Sequence, residues 1–451
     1  MFFNIQSLGE RYAVITEQRK LTYAELQAMA NQYEFQSSHK ELVLLLCDHV
    51  IEVVAAYVAA LQAGQAVMLM NAAANIELLE QIVATYQPKW IVGSNEQHLF
   101  AGYQELGHFL EREQYSEAFI HPELAVLLST SGTTGSQKFV RLSYTNLQSN
   151  AAAIAQYLNI GSDERGILNL PLSYSYGLSI LNSHFQAGAA VLLTRESVVA
   201  KSFWEFVRDG HATSLPGVPF TYRMLERVGF FKMNLPHLQT LTQAGGRLEE
   251  RLVRLFGEYA MELGKRFFVM YGQTEAAPRI SYIPSNRVLD KPGCIGIPIP
   301  GGRLDLASNT GELIYYGDNV MLGYAETLKD LAKGDEYGGT LYTGDTATVD
   351  EEGFFTITGR MKRFIKLFGL RINLDEVEKQ LEVLLQQPVA CTGNDDRMLV
   401  VTESSQHVTD IKHHIDQLYK LHTTAYKVIS VDEIPRLANG KINYQSLKDE
   451  S

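Results

Sequence analysis

Cysteine is scarce: Cys47, Cys294 and Cys391 are the only three in a chain of 451 residues. They lie far apart and form no CxxC, which argues against a disulfide framework or a thiolate zinc site and fits a reducing, cytoplasmic setting. Long apolar runs are missing as well. The opening segment has no basic stretch followed by an apolar one, and the most apolar region, Val43 to Met70, is broken by Asp48, His49 and Glu52. Neither a leader nor a membrane span is therefore expected. Positive charge is in the minority, with 39 Lys and Arg against 51 Asp and Glu and a formal charge of −12. The footprint of a general nucleic-acid or anionic-membrane binder is absent, although one basic pocket for a phosphate remains compatible with this balance. No GxxxxGK[ST] and no strand–GxGxxG–helix unit occurs, so P-loop and dinucleotide folds are not indicated.

What is present is the composition of a soluble globular protein, 46% hydrophobic and 20% charged, long enough for two or three domains. In the first hundred residues, apolar runs at Leu42–Leu46, Ala66–Met70 and Trp90–Val92 alternate with helical periodicity at Glu52–Leu61 and Ile76–Thr85, which predicts α/β layers. Thr22 and Glu25 have capping-box spacing ahead of a helix through Ala28. Further strands are expected at Leu124–Leu128, Phe139–Leu142, Ile167–Leu170, Val191–Thr194, Phe267–Met270 and Leu313–Tyr315. From about Gly311 the pattern turns to short strands and turns. After Gly359 a cationic cluster, Arg360, Lys362, Arg363 and Lys366, precedes about 90 residues of ββα-like pattern. The predicted division is 1–359, a hinge at 360–363, and a small domain at 364–451.

Between the strands at Leu124 and Phe139 lies Thr130-Ser131-Gly132-Thr133-Thr134-Gly135-Ser136-Gln137-Lys138. Ordering such a segment is costly unless something binds it. Backbone amides freed by the glycines, four hydroxyls and the Lys138 ammonium suit a polyphosphate; a flexible surface linker is the duller reading.

The string STSGTTGSQKFV resembles the phosphate-loop signature of the adenylate-forming superfamily, and further motifs follow in that family's order. These are Tyr271-Gly272-Gln273-Thr274-Glu275, Tyr342-Thr343-Gly344-Asp345, Gly359-Arg360, Phe368-Gly369-Leu370-Arg371-Ile372 and Asn439-Gly440-Lys441. The echoes LTYAEL at Leu21, GIPIPG at Gly296 and GELIYYGDNVMLGY at Gly311 are weaker. The resemblance spans almost the whole chain. It implies an α/β fold, with a large N-terminal domain of packed α/β subdomains and a small mobile α+β C-terminal domain. It also implies an ATP- and Mg²⁺-dependent acid–thiol ligase: a carboxylate attacks the α-phosphate to give an acyl-adenylate and pyrophosphate, and a thiol of coenzyme A or of a carrier-protein phosphopantetheine then takes the acyl group. No nucleophilic side chain is needed, because alignment and charge stabilisation suffice for in-line displacement.

By the same resemblance, Thr130 to Gly135 and Lys138 would grip the β- and γ-phosphates, Thr274 the α-phosphate, and Glu275 the Mg²⁺. Asp345 would accept from the ribose hydroxyls, and Gly245, Gly246 and Arg247 would line adenine opposite Tyr271, Gly272 and Gln273. Arg360 would reach the nucleotide, Lys362 would be the hinge, and Gly369 would line the thiol tunnel. Lys441 would bridge the attacking carboxylate and the α-phosphate. Singly, each of these has a structural reading as turn, surface or core residue; the ordered set favours the functional one.

The acid itself is less legible. Gly166 to Thr194 contains no Asp or Glu, which disfavours an α-amino acid, whose ammonium needs a partner. Tyr174, Tyr176, Gly177, Val218 and Phe220 would form an apolar or aromatic wall suited to a fatty, aryl or hydroxy acid, unless the tyrosines are core. An amino-acid-adenylating domain is the alternative. A non-catalytic scaffold is disfavoured by the presence of Glu275, Asp345 and Lys441 together. The departures from the family pattern are Gln137, Leu437 and the segment Pro171–Gly177.

Overall fold

The computed structural model describes residues 1–93, 100–113, 118–129, 138–361, 363–367, 370–394, 397–419, 424–437 and 440–448. Among these, two large sheets carry most of the chain. The first orders its strands as Ile297–Pro298, Arg279–Ile283, Arg266–Gly272, Thr240–Gln243, Ser214–Gly217, Arg165–Leu168, Ala190–Leu193, Tyr12–Ile15 and Lys20–Thr22. Its centre is parallel, from Arg266–Gly272 to Tyr12–Ile15, and both edges are antiparallel. The second sheet runs Gly323–Ala325, Phe139–Ser143, Leu124–Ser129, Ala66–Asn71, Leu42–Cys47, Trp90–Val92, Phe109–Arg112 and Tyr103–Leu106. Continuous apolar strands such as Leu42–Cys47, buried at every position, suit parallel sheets covered on both faces.

The expected helices and strands of the first hundred residues form at Ile51–Gln62, Ile76–Tyr86, Leu42–Cys47, Ala66–Asn71 and Trp90–Val92. Thr22 and Glu25 close their capping box, with the Glu25 amide donating to Thr22 Oγ1 at 3.2 Å and the Thr22 amide to Glu25 Oε2 at 2.7 Å. The core strands after it start a residue or two earlier than the apolar pattern suggests, as at Arg165–Leu168 and Ala190–Leu193, because parallel ladders extend through less apolar residues. From Arg303 to Arg360 an antiparallel four-stranded sheet forms, in the order Arg303–Leu306, Glu312–Tyr316, Thr340–Val349 and Phe355–Arg360.

Beyond Arg360 the hairpin Phe364–Leu367 and Leu370–Asn373 leads into the helix Leu374–Leu385, the ββα order expected from the sequence. A three-stranded sheet, Val389–Gly393, Met398–Thr402 and Tyr426–Ser430, follows. Its apolar residues pack with Ile365, Ile372, Val377, Leu381, Ile411 and Ile415 in cores separate from those of the preceding residues. Among the described residues no helix is long and apolar enough to cross a membrane. Cys47 and Cys391 are buried free thiols, and Cys294 is half-buried and free.

Candidate active site

The two ends of the hydroxyl-rich loop are set by one antiparallel strand pair. Leu124–Ser129 pairs with Phe139–Ser143, with Ser129 opposite Phe139, so the ends of the hydroxyl-rich loop are held by adjacent strands. Thr130, Ser131, Gly132, Thr133, Thr134 and Gly135 lie outside the described residues. Lys138 is described, and its Nζ stands 3.6 Å from the centre of the Tyr324 ring, a cation–π distance. The Tyr324 hydroxyl in turn donates to Glu275 Oε1 at 3.0 Å, which joins the loop lysine to the expected metal carboxylate through a residue the sequence reading did not single out. Tyr324 is placed by Arg141, a fully buried side chain. Its guanidinium donates to the Tyr324 carbonyl at 3.1 Å and to those of Leu322 and Gly334 at 3.3 Å, and ion-pairs with Glu336.

Tyr271, Gly272 and Gln273 end the strand Arg266–Gly272 and begin the turn that delivers Thr274 and Glu275. Gly272 admits no side chain, since a Cβ there would stand 1.8 Å from the Pro278 carbonyl oxygen. The hydroxyls of Thr274 and Ser175 share a hydrogen bond at 3.2 Å. The Tyr271 phenol donates to Asp345 Oδ2 at 2.5 Å, while Arg360 Nε sits 3.1 Å from Asp345 Oδ1. Sheet register explains this trio, because Asp345 and Arg360 are directly opposed on Thr340–Val349 and Phe355–Arg360. Burial pushes the Asp345 carboxyl above its ordinary range, and the Arg360 charge and the Tyr271 hydrogen bond pull it back. Burial also raises the Tyr271 phenol, and the Asp345 charge raises it further.

The residues expected to line the acid pocket lie close to one another. Gly245 has φ +85°, and a Cβ on it would fall 2.3 Å from the Tyr174 hydroxyl. A glycine is needed there on both counts. Gly246 packs against Pro219, and Gly177 is pressed against the carbonyls of Leu170 and Pro171. Tyr174 and Tyr176 meet edge to face at 6.3 Å. Tyr176 is almost completely buried and shares a 2.9 Å hydrogen bond with the Thr242 hydroxyl, which makes it a rigid wall. Val218 and Phe220 approach from the turn into the helix Pro219–Arg227 and touch Gly440, where a Cβ would lie 3.0 Å from Val218 Cγ2.

That contact brings the C-terminal motif to the site. Gly440 donates to the Leu437 carbonyl at 2.8 Å and Leu437 to the Lys441 carbonyl at 2.8 Å, a tight turn just before Lys441. Asn439 lies outside the described residues. Burial lowers the Lys441 ammonium pKa and the Arg360 charge lowers it further, against the opposing pull of Glu275 and Asp345. All four charged groups therefore share one space. Arg247 forms an ion pair with Glu382 of the helix Leu374–Leu385 at 3.2 Å.

Lys362 and Gly369 lie outside the described residues. On the two sides of Lys362 the anchors differ. The Arg360 amide donates to Asp375 Oδ2 at 2.7 Å. Arg363 is enclosed by Glu378 at 2.8 and 3.0 Å, the Tyr444 hydroxyl at 3.0 Å, the Cys391 carbonyl and Asp375. The basic run read from the sequence is thus divided, with Arg360 facing Asp345 and Arg363 locked among residues of the last ninety.

Two large mixed sheets, a smaller C-terminal unit, and the convergence of Lys138, a buried Asp345 and Lys441 make up the candidate site. The family profile of the AMP-binding enzymes matches residues 3–325, and the chain belongs to that family. It is 24% identical to a 2-succinylbenzoate–CoA ligase of Staphylococcus epidermidis, over 99% of this chain and 96% of that one. It is 29% identical to a long-chain-fatty-acid–CoA ligase of Escherichia coli, over 75% of this chain and 64% of the relative. The fold matches that of o-succinylbenzoate CoA synthetase from Bacillus subtilis in complex with its acyl-adenylate intermediate, with a TM-score of 0.80 at 23% identity, over 99% and 97% of the two chains.

Proposed function

We propose that this protein is an AMP-forming acid–thiol ligase. In the first half-reaction a carboxylate oxygen attacks the α-phosphorus of ATP, the bond to the bridging oxygen breaks, and pyrophosphate leaves. In the second, a thiol sulfur attacks the acyl carbon of the adenylate, and AMP departs as the thioester forms. The observation that carries this reading is the position of Lys441, whose neighbour Gly440 touches the acid wall while its charge senses Glu275, Asp345 and Arg360. A lysine there offsets repulsion between the incoming carboxylate and the α-phosphate, which is electrostatic catalysis without a nucleophile.

Asp345 would hold the ribose hydroxyls, its geometry fixed by Tyr271 and Arg360. Thr274, the loop Thr130–Gly135 and Lys138 would hold the phosphates. Glu275 fits a Mg²⁺ ion, a hard cation commonly held by one or two carboxylates together with substrate phosphates; when bound, it would neutralise phosphate charge. Gly369 would line the thiol path after the small unit rotates about Lys362. The separate cores on either side of residues 360–363 support that division. The curated relatives are named as coenzyme A ligases, which favours coenzyme A as acceptor over a carrier-protein phosphopantetheine. Buried free thiols at Cys47 and Cys391 support a cytoplasmic setting.

An amino acid is a poor fit. Besides the absence of Asp and Glu from Gly166 to Thr194, the wall is backed by the Arg279 cation, which repels an ammonium. The test is pyrophosphate release with ATP and Mg²⁺ over fatty, aryl, hydroxy and amino acids, with Lys441→Ala as control. Release with one class names the substrate. Silence across all four classes counts against the reading.

A further inference from the structure

Residues 319–325 strap two parts of the nucleotide site to each other. Gly323, Tyr324 and Ala325 pair antiparallel with Arg141, Val140 and Phe139, on the strand that leaves the hydroxyl-rich loop just after Lys138. The other end of the strap holds the turn that carries Thr274 and Glu275. The Met321 amide donates to the Glu275 carbonyl at 2.9 Å, and Asn319 Nδ2 donates to the carbonyls of Ala276 and Arg279 at 2.6 and 2.8 Å. With the Arg141 guanidinium on the carbonyls of Leu322 and Tyr324, the backbone beneath Tyr324 is fixed.

The Tyr324 side chain bridges the same two parts. Its ring face lies 3.6 Å from Lys138 Nζ, its hydroxyl donates to Glu275 Oε1 at 3.0 Å, and Tyr337 meets the ring edge to face at 6.3 Å. Both contacts are made to groups that are charged at neutral pH, one a cation against an aromatic face and the other a carboxylate accepting from O–H. Tyrosine supplies both at once, whereas phenylalanine would supply only the first.

We propose that Tyr324 is a positioning residue for the adenylation half-reaction, which holds the Glu275 carboxylate for Mg²⁺ and the Lys138 ammonium for the β- and γ-phosphates as one set. The role rests on the ligase reading above and deepens it at the metal and phosphate end of that site. A hydrogen bond that fixes a metal-binding carboxylate typically changes metal affinity 10- to 100-fold. Tyr324 acts through Glu275 and Lys138 and makes no covalent bond.

The experiment is calorimetric titration of the full chain with ATP, in the absence of any acid so that nothing turns over, once in chelator and once in saturating Mg²⁺, with AMP as the control nucleotide. Tyr324→Phe keeps the ring and removes the donor. It should lower the gain in ATP affinity brought by Mg²⁺ about 10-fold or more, while ATP affinity in chelator and AMP affinity stay unchanged. Tyr324→Leu removes the ring as well and should also weaken ATP binding in chelator, by roughly 2- to 30-fold, the range a cation–π contact supplies, again sparing AMP. Should Tyr324→Leu fail to fold, as judged by thermal unfolding, Tyr324→Phe decides alone. An unchanged Mg²⁺ gain in Tyr324→Phe overturns the inference and leaves the ligase reading standing. So does a folded variant that loses AMP and ATP affinity to the same degree, which is what a purely structural tyrosine would give. No ATP binding by the unaltered protein, with or without Mg²⁺, overturns both.

Discussion

At the residue scale, the site depends on groups whose ordinary behaviour is altered by what surrounds them. Lys441 is held where burial and Arg360 disfavour its charge, and on the proposed reading an anionic substrate and triphosphate would offset that cost. Lys441→Ala should therefore lower the rate of adenylate formation by roughly 100- to 1,000-fold, the usual loss when one transition-state charge partner is removed. Thioester formation from a supplied acyl-adenylate should be largely retained; single-turnover measurement of the two halves separates them, and equal loss in a folded protein would contradict the role. Tyr271→Phe removes the hydroxyl that fixes Asp345. A hydrogen bond to a charged group is worth about 1.5–3 kcal/mol, so the KM for ATP should rise about 10-fold or more, with dependence on the acid unchanged. Tyr324 and Ser175 escaped the sequence reading because a lone Tyr or Ser carries no spacing signal. Tyr324 could have been suspected from its place in the GELIYYGDNVMLGY segment.

At the scale of elements, one device binds the last ninety residues to one another and a second ties them to the rest. Arg363 with Glu378, Asp375 and Tyr444 locks the start of the hairpin Phe364–Leu367 to the helix Leu374–Leu385. Removing Arg363 leaves Glu378 buried without its partner, a loss of about 3–5 kcal/mol. Arg363→Ala should accordingly lower the unfolding midpoint of this unit, as followed by hydrogen exchange in its strands, while residues 1–359 stay protected.

The second device is the contact between Glu382 and Arg247, 3.2 Å apart, in a setting that disfavours the charged carboxylate. Burial raises Glu382 to about 7, with Arg247 opposing; Glu378 and Glu249 add to the rise and Arg223 subtracts from it. A carboxyl whose pKa is higher when docked than when free favours docking in its protonated form. Docking is thus fully supported below the free carboxylate range and weakens as pH rises through about 7. Energy transfer between labels on the two units should fall over that window, and Glu382→Gln should flatten the profile. A flat profile in the unaltered protein would remove Glu382 from the argument.

At the scale of the whole molecule, the active site exists only because segments more than 300 residues apart converge. Lys138 arrives from the second sheet, Thr274 and Glu275 from the first, Asp345 and Arg360 from the four-stranded sheet, and Lys441 from the C-terminal turn. All but Asp345, which lies within the strand Thr340–Val349, sit at a strand end or in a turn, held by rigid neighbours. Substitution of Gly272 by alanine should show how much depends on that rigidity. With its Cβ 1.8 Å from a backbone oxygen, the strand end and its turn must shift, and soluble yield or Tm should fall even though no catalytic group is removed.

The sequence by itself determined the elements and their chemistry. Apolar runs marked the buried strands, Thr22 and Glu25 marked a helix start, and the ordered motifs named the residues expected to handle phosphate and ribose. These signals are local: periodicity, capping and turn chemistry act over a few residues. Only the tertiary structure decided which charges are paired. It sent Arg247 to Glu382, divided Arg360 from Arg363, set Tyr324 between Lys138 and Glu275, and buried Arg279 against the Tyr176 ring. Pairing and desolvation depend on neighbours distant in sequence, and no spacing along the chain encodes them.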